Sequence, residues 1–104
     1  MTEIMLIRHG ETEWNRTGRF QGHSDIPLTE NGILQAQALS RNLIMDHVDK
    51  IYASDLVRAM ETARPLANRF GLDVEPDPAL RELHFGAWEG RYFRDINAEY
   101  PDIM

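Results

Sequence analysis

The chain has no cysteine. That excludes a disulfide scaffold, a thiol nucleophile and any cysteine-ligated zinc or iron–sulfur site. It also fits a reducing compartment, so the cytoplasm is the expected location. Lysine is almost missing: Lys50 is the single lysine among 11 basic residues. The other basic residues are arginine, the side chain suited to a bidentate grip on phosphate or carboxylate, although the codon usage of a GC-rich genome gives the same bias. There is no basic excess. A net charge of −6 and a pI near 5.1 argue against nucleic acid or an anionic membrane as partner. No apolar run approaches the roughly 20 residues that span a bilayer. The start, MTEIMLIRHG, lacks a basic leader region and is not read as a signal peptide. No HxH or HExxH spacing exists, so no metal is expected.

What is present is an ordinary globular composition, with 42% hydrophobic and 9% aromatic residues in 104 positions. One domain is expected over residues 1–104. Ile4-Met5-Leu6-Ile7 is a continuous apolar run, the pattern of a strand buried on both faces. Residues 10–28 are polar and read mostly as loop. Thr29 should cap a helix carrying Ile33, Ala36, Leu39 (or Ser40) and Leu43 on one face. Ile51-Tyr52-Ala53 should be a second strand. Ser54-Asp55 should cap a second helix, broken or kinked by Pro65 near Arg64 and stopped at Gly71. Residues 72–75 read as a third strand and 92–100 as a third helix halted by Pro101. Alternation of strand and helix predicts an α/β domain with a mostly parallel sheet.

In such sheets ligands collect beyond the carboxyl ends of the strands. Three polar clusters fall there: Arg8-His9-Gly10-Glu11-Thr12, Ser54-Asp55-Leu56-Val57-Arg58 and Arg81-Glu82. Histidine is a nucleophile as well as a base. Two guanidinium groups can clamp the oxygens of a transferring phosphoryl group. A carboxyl in the same crevice can act as general acid. Gly10 lets backbone and phosphate come close. Together these parts suit phosphoryl transfer through a phosphohistidine.

Arg8-His9-Gly10-Glu11-Thr12 resembles the signature of the histidine phosphatase superfamily, which includes phosphoglycerate mutase. Trp14-Asn15, Phe20-Gln21-Gly22, Asp25-Ile26-Pro27-Leu28-Thr29 and Gly32 resemble the segment that follows the catalytic histidine. Residues 54–63 resemble its second motif. Leu80-Arg81-Glu82-Leu83 with Phe85-Gly86-Ala87-Trp88-Glu89-Gly90 resembles its third. The resemblance implies a three-layer α/β/α fold. It implies that His9 is phosphorylated, that Arg8 and Arg58 hold the phosphate, and that Asn15 donates to it. Gln21 and Gly22 would touch substrate, and Glu82 would protonate the leaving oxygen and then activate water. Glu89 is the competing acid. No metal or nucleotide cofactor is implied, and the partner is a small phosphorylated substrate.

Members of the family also carry a second pocket histidine after a later strand. His23, His47 and His84 are too early to match it, so the chain is expected to be an N-terminal half. A phosphomonoester phosphatase is the expected activity. A phosphoglycerate mutase, or a phosphate-binding remnant without turnover, is the alternative. Association of two chains over the exposed sheet is a further expectation. Arg16, Arg19, Arg81 and Arg91 are read as surface or rim charges. His23 and His84 are read as loop residues at least as readily as pocket lining, and His47 as exposed. Trp88 and Phe85 are read as core or pocket wall.

Overall fold

A computed structural model describes residues 4–82, 84 and 86–99. Leu83, Phe85, Tyr100 and Pro101 lie outside the described residues. The elements in order are helix α1 (Glu13–Thr17), helix α2 (Glu30–Asn42), strand β1 (Ile51–Ala53), helix α3 (Val57–Phe70), strand β2 (Val74–Pro76) and helix α4 (Phe93–Glu99). Single 3-10 turns occupy Pro78–Leu80 and Gly86–Trp88. The class is α/β, and β1 pairs with β2 in parallel, Ile51 opposite Val74 and Ala53 opposite Pro76.

The crossover helix α3 carries the fold. It packs against α2 and against both strands. Ile51, Leu66 and Ala67 form the buried centre, with Leu43, Val48, Ala63, Phe70, Leu72 and Val74 around them. A second small cluster ties the two ends of the chain. Phe20 meets Phe93 edge to face at 4.6 Å and Trp88 at 5.4 Å, an arrangement favoured by the ring quadrupoles. Ile96 of α4 is fully buried.

Helix α2 begins as expected: Thr29 is the N-cap and its hydroxyl accepts from the Gly32 amide at 3.0 Å. Its buried face is Gly32, Ala36 and Ser40, so Ile33 points away from the core. The face is turned because the close approach at Gly32 admits no side chain. Gly71 closes α3 in the left-handed conformation, φ 65°.

Three expectations are corrected. Ile4-Met5-Leu6-Ile7 forms no strand, and all four residues are exposed, Ile4 at 82% and Leu6 at 91%. A strand needs a neighbour to satisfy its backbone, and no described strand lies beside this run. Residues 10–28 are mostly loop, as expected, with one short helix inside them: α1 forms because Thr12 and Asn15 make a reciprocal capping box. Helix α3 is not broken at Pro65 but runs to Phe70. Leu66 and Ala67 are buried directly after it. Burial of a leucine contributes about 1.5–3 kcal/mol, comparable to the proline cost of about 3 kcal/mol. Finally, Ser54-Asp55 does not cap α3. Its N-cap is Leu56, and the Val57 amide is met by the Asp25 carboxylate at 2.6 Å.

Candidate active site

His9 sits where the amino-terminal segment meets α2 and α3. The Gly10 amide donates to the Thr62 hydroxyl at 2.9 Å, and that hydroxyl donates to the Arg58 carbonyl at 2.7 Å. On the other side Gly10 lies against Gly32. A Cβ on Gly10 would come 2.7 Å from the Gly32 carbonyl oxygen, and a Cβ on Gly32 would come 2.2 Å from the Glu11 carbonyl oxygen. Only two glycines let these backbones meet. Three anchors from two helices thus replace the missing strand in placing His9.

The His9 ring is half-buried, and its Nδ1 lies 2.6 Å from the Gly10 carbonyl oxygen. A carbonyl only accepts, so Nδ1 carries the proton and donates. In the neutral ring the lone pair is therefore on Nε2. Burial lowers the His9 pKa below 6.5; the Gly10 hydrogen bond opposes this and the Arg58 charge adds to it. Glu82 and Arg8 also act on the ring electrostatically.

Arg58 is 2% exposed. Its guanidinium donates to the Ser24 carbonyl at 2.7 Å, to the Gly22 carbonyl at 2.6 Å and to Glu82 Oε1 at 2.6 Å. Gly22 can turn its carbonyl to Arg58 because it adopts φ 54°, a left-handed conformation that glycine takes without cost. Among the described residues, three of the five donors of the fork are engaged. The Glu82 side chain is 46% exposed.

Thr12 organises the amides. The Asn15 side-chain oxygen accepts from the Thr12 amide at 3.2 Å, and the Thr12 hydroxyl donates to Gln21 Oε1 at 2.5 Å. Both carboxamide oxygens are tied to Thr12, which leaves their NH₂ ends as donors. Arg8 is exposed. The structure thus joins Arg58, Glu82 and Gly22 directly, brings His9 into their field, and holds Asn15 and Gln21 through Thr12. A cleft of about 220 Å³ beside His9 is lined by Arg8, Gly10, Gln35, Ala36, Leu39 and Thr62.

Arg81, expected at the rim, makes a bidentate pair with Asp55, both bonds 2.6 Å. This pair holds the segment before Glu82 to the start of α3. Glu89, the competing acid, is committed elsewhere: it accepts from the His23 amide at 3.1 Å and from the Ser24 hydroxyl. Thr62 and Gly32, both inside segments that carry the family resemblance, are structural supports whose role sequence reasoning did not assign. Their signal is only a threonine and a glycine on inward helix positions.

The sequence model of the histidine phosphatase superfamily (branch 1) matches residues 4–104. The chain belongs to this superfamily. It is 45% identical over 99 residues to a probable phosphoglycerate mutase GpmB of Serratia proteamaculans (strain 568), covering 95% of this chain and 46% of that protein. A mycobacterial glucosyl-3-phosphoglycerate phosphatase, solved with VO₃, superposes with a TM-score of 0.84 at 42% identity, over 89% of this chain and 46% of that one. A phosphoserine phosphatase of Entamoeba histolytica, solved with 3-phosphoglyceric acid, gives 0.78 at 42% identity, over 90% and 47%. This histidine phosphatase chain spans about half the length of the relatives it matches. Its α/β fold is theirs over that half.

Proposed function

We propose that the chain takes part in phosphomonoester hydrolysis through a phosphohistidine on His9. The observation that carries this is the His9 tautomer: Nδ1–H is held by the Gly10 carbonyl, so Nε2 presents the lone pair. Nε2 attacks phosphorus and the ester P–O bond breaks. Glu82 gives a proton to the departing oxygen. Water then attacks the phosphohistidine, Glu82 takes the proton back, and phosphate leaves.

Arg58 stabilises the charge spread over the phosphoryl oxygens with its guanidinium, and Arg8 adds a second one. The NH₂ groups of Asn15 and Gln21 donate to the same oxygens, and Gly22 keeps the approach open. We place these groups around the phosphoryl group that His9 would carry; of them only Arg8 lines the cleft of about 220 Å³. The second pocket histidine that the family resemblance implies would belong to the half of the relatives this chain does not match. The partner is a small phosphorylated molecule, and the expected compartment is the cytoplasm.

A mutase reading is favoured by the name of the curated relatives, probable phosphoglycerate mutase. A mutase must keep water from the phosphoenzyme, and the half-exposed Glu82 supports hydrolysis instead. The test is phosphate release from an aryl phosphate and from a phosphoglycerate, with wild type and His9→Ala. Hydrolysis predicts release from at least one ester, reduced about 10³-fold or more in the variant. Isomerisation of phosphoglycerate without release would make the chain a mutase. Binding without either reaction would leave a phosphate-binding remnant.

A further inference from the structure

His23 makes a contact that the scheme above does not use. Its Nε2 lies 2.9 Å from the backbone carbonyl oxygen of Glu82, 59 residues away. The carbonyl can only accept, so Nε2 carries the proton and donates. The ring is held in that orientation from two sides. The His84 ring stacks on it at 4.7 Å with the planes 7° apart. The His23 amide is bound to the Glu89 carboxylate at 3.1 Å, and the same carboxylate lies 3.5 Å from His84 Nε2. One carboxylate therefore sets the base of both histidines.

Glu82 is otherwise placed by its carboxylate on Arg58 and by the Arg81–Asp55 pair one residue earlier. Neither fixes its carbonyl. The Glu82 side chain is half-exposed, so packing does little to hold it. We infer that His23, backed by His84 and Glu89, is a positioning residue that sets the reach of Glu82 toward the leaving oxygen. The inference rests on Glu82 being the acid of the proposed hydrolysis. It gives His23 a role through Glu82 and no contact with substrate. A proton on Nδ1 would leave the Nε2 bond intact, so the contact is not itself a pH switch.

Leaving groups separate positioning from mere support. An alkyl phosphate releases a strongly basic oxygen and needs the acid, whereas an aryl phosphate such as p-nitrophenyl phosphate departs with little help. The 104-residue chain is compared with His23→Ala and His23→Gln on both esters. In His23→Ala the alkyl ester should lose about tenfold or more in kcat/KM, which reports formation of the phosphoenzyme and not its hydrolysis, and the aryl ester less than twofold. Gln should restore most of the alkyl rate, because its NH₂ can donate to the same carbonyl. Equal losses on the two esters, or no loss on either, would overturn the role of His23 alone. If the wild-type chain turns over neither ester, the hydrolysis proposal fails and this inference falls with it. A readout independent of turnover is the ¹⁵N spectrum of the histidine rings. His23 should show the Nε2–H tautomer, and an Nδ1–H tautomer would contradict the contact.

Discussion

At the scale of single residues, the proposed chemistry rests on the tautomer and the environment of His9. Burial disfavours the imidazolium, so His9 stays neutral to a lower pH than a free ring. The acid limb of kcat/KM should therefore lie below 6.5, and the His9 C2–H signal should titrate below 6.5 by NMR. A midpoint above 6.5 would contradict the burial argument. The sign for stability follows. The unfolded chain takes up the proton first as pH falls. The stability tied to neutral His9 is complete above 6.5 and is lost as pH falls through the lowered folded value. The Gly10–Gly32 contact is equally local. Gly10→Ala and Gly32→Ala each press a methyl into backbone, and overpacking of this kind costs about 1–3 kcal/mol. Urea denaturation should show each loss. The double variant should lose less than the sum, because both changes open the same seam.

At the scale of elements, α3 is both scaffold and part of the site. Thr62 is the link, accepting from Gly10 and donating to the Arg58 carbonyl. Thr62→Val keeps the shape but leaves a buried amide unpaired, a cost of about 1–3 kcal/mol. Thr62→Ser should recover most of it. Both effects are read from denaturation midpoints. The start of α2, the strand at Ile51–Ala53 and the stop at Gly71 were legible in the sequence, because a cap, a short apolar run and a left-handed glycine act locally. The Arg58–Glu82 pairing was legible only as convergence of strand-end clusters and as family resemblance. The rest was not local. Asp25 caps α3 from 32 residues away, and no spacing rule announces that. Nor does one announce the stacked His23 and His84. Pro65 was misjudged for the same reason: burial on both sides of α3 overrides a local rule. The capping box at Thr12 and Asn15 was readable, but its short helix was submerged in a polar segment.

At the scale of the whole molecule, several exposed apolar side chains stand out. Ile4, Leu6 and Ile44 are each more than 80% exposed, and Tyr52 of β1 faces solvent. Such a surface invites pairing with another chain. Sedimentation velocity should show concentration-dependent association of the 104-residue chain. Leu6→Lys should shift it toward monomer without lowering the denaturation midpoint, since Leu6 buries almost nothing here. A monomer at all concentrations would contradict this. Among the described residues no helix is long and apolar enough to cross a membrane.

The proposed hydrolysis turns on one covalent bond, from His9 Nε2 to phosphorus. The most direct measurement traps it. The chain is mixed with a phosphomonoester, quenched in base and digested, and the peptides are read by mass spectrometry. Phosphohistidine survives base and is lost in acid. One phosphate is expected on His9, absent in His9→Ala and discharged by water on a chase. Phosphate on another residue, or phosphate release from His9→Ala at the wild-type rate, would contradict it.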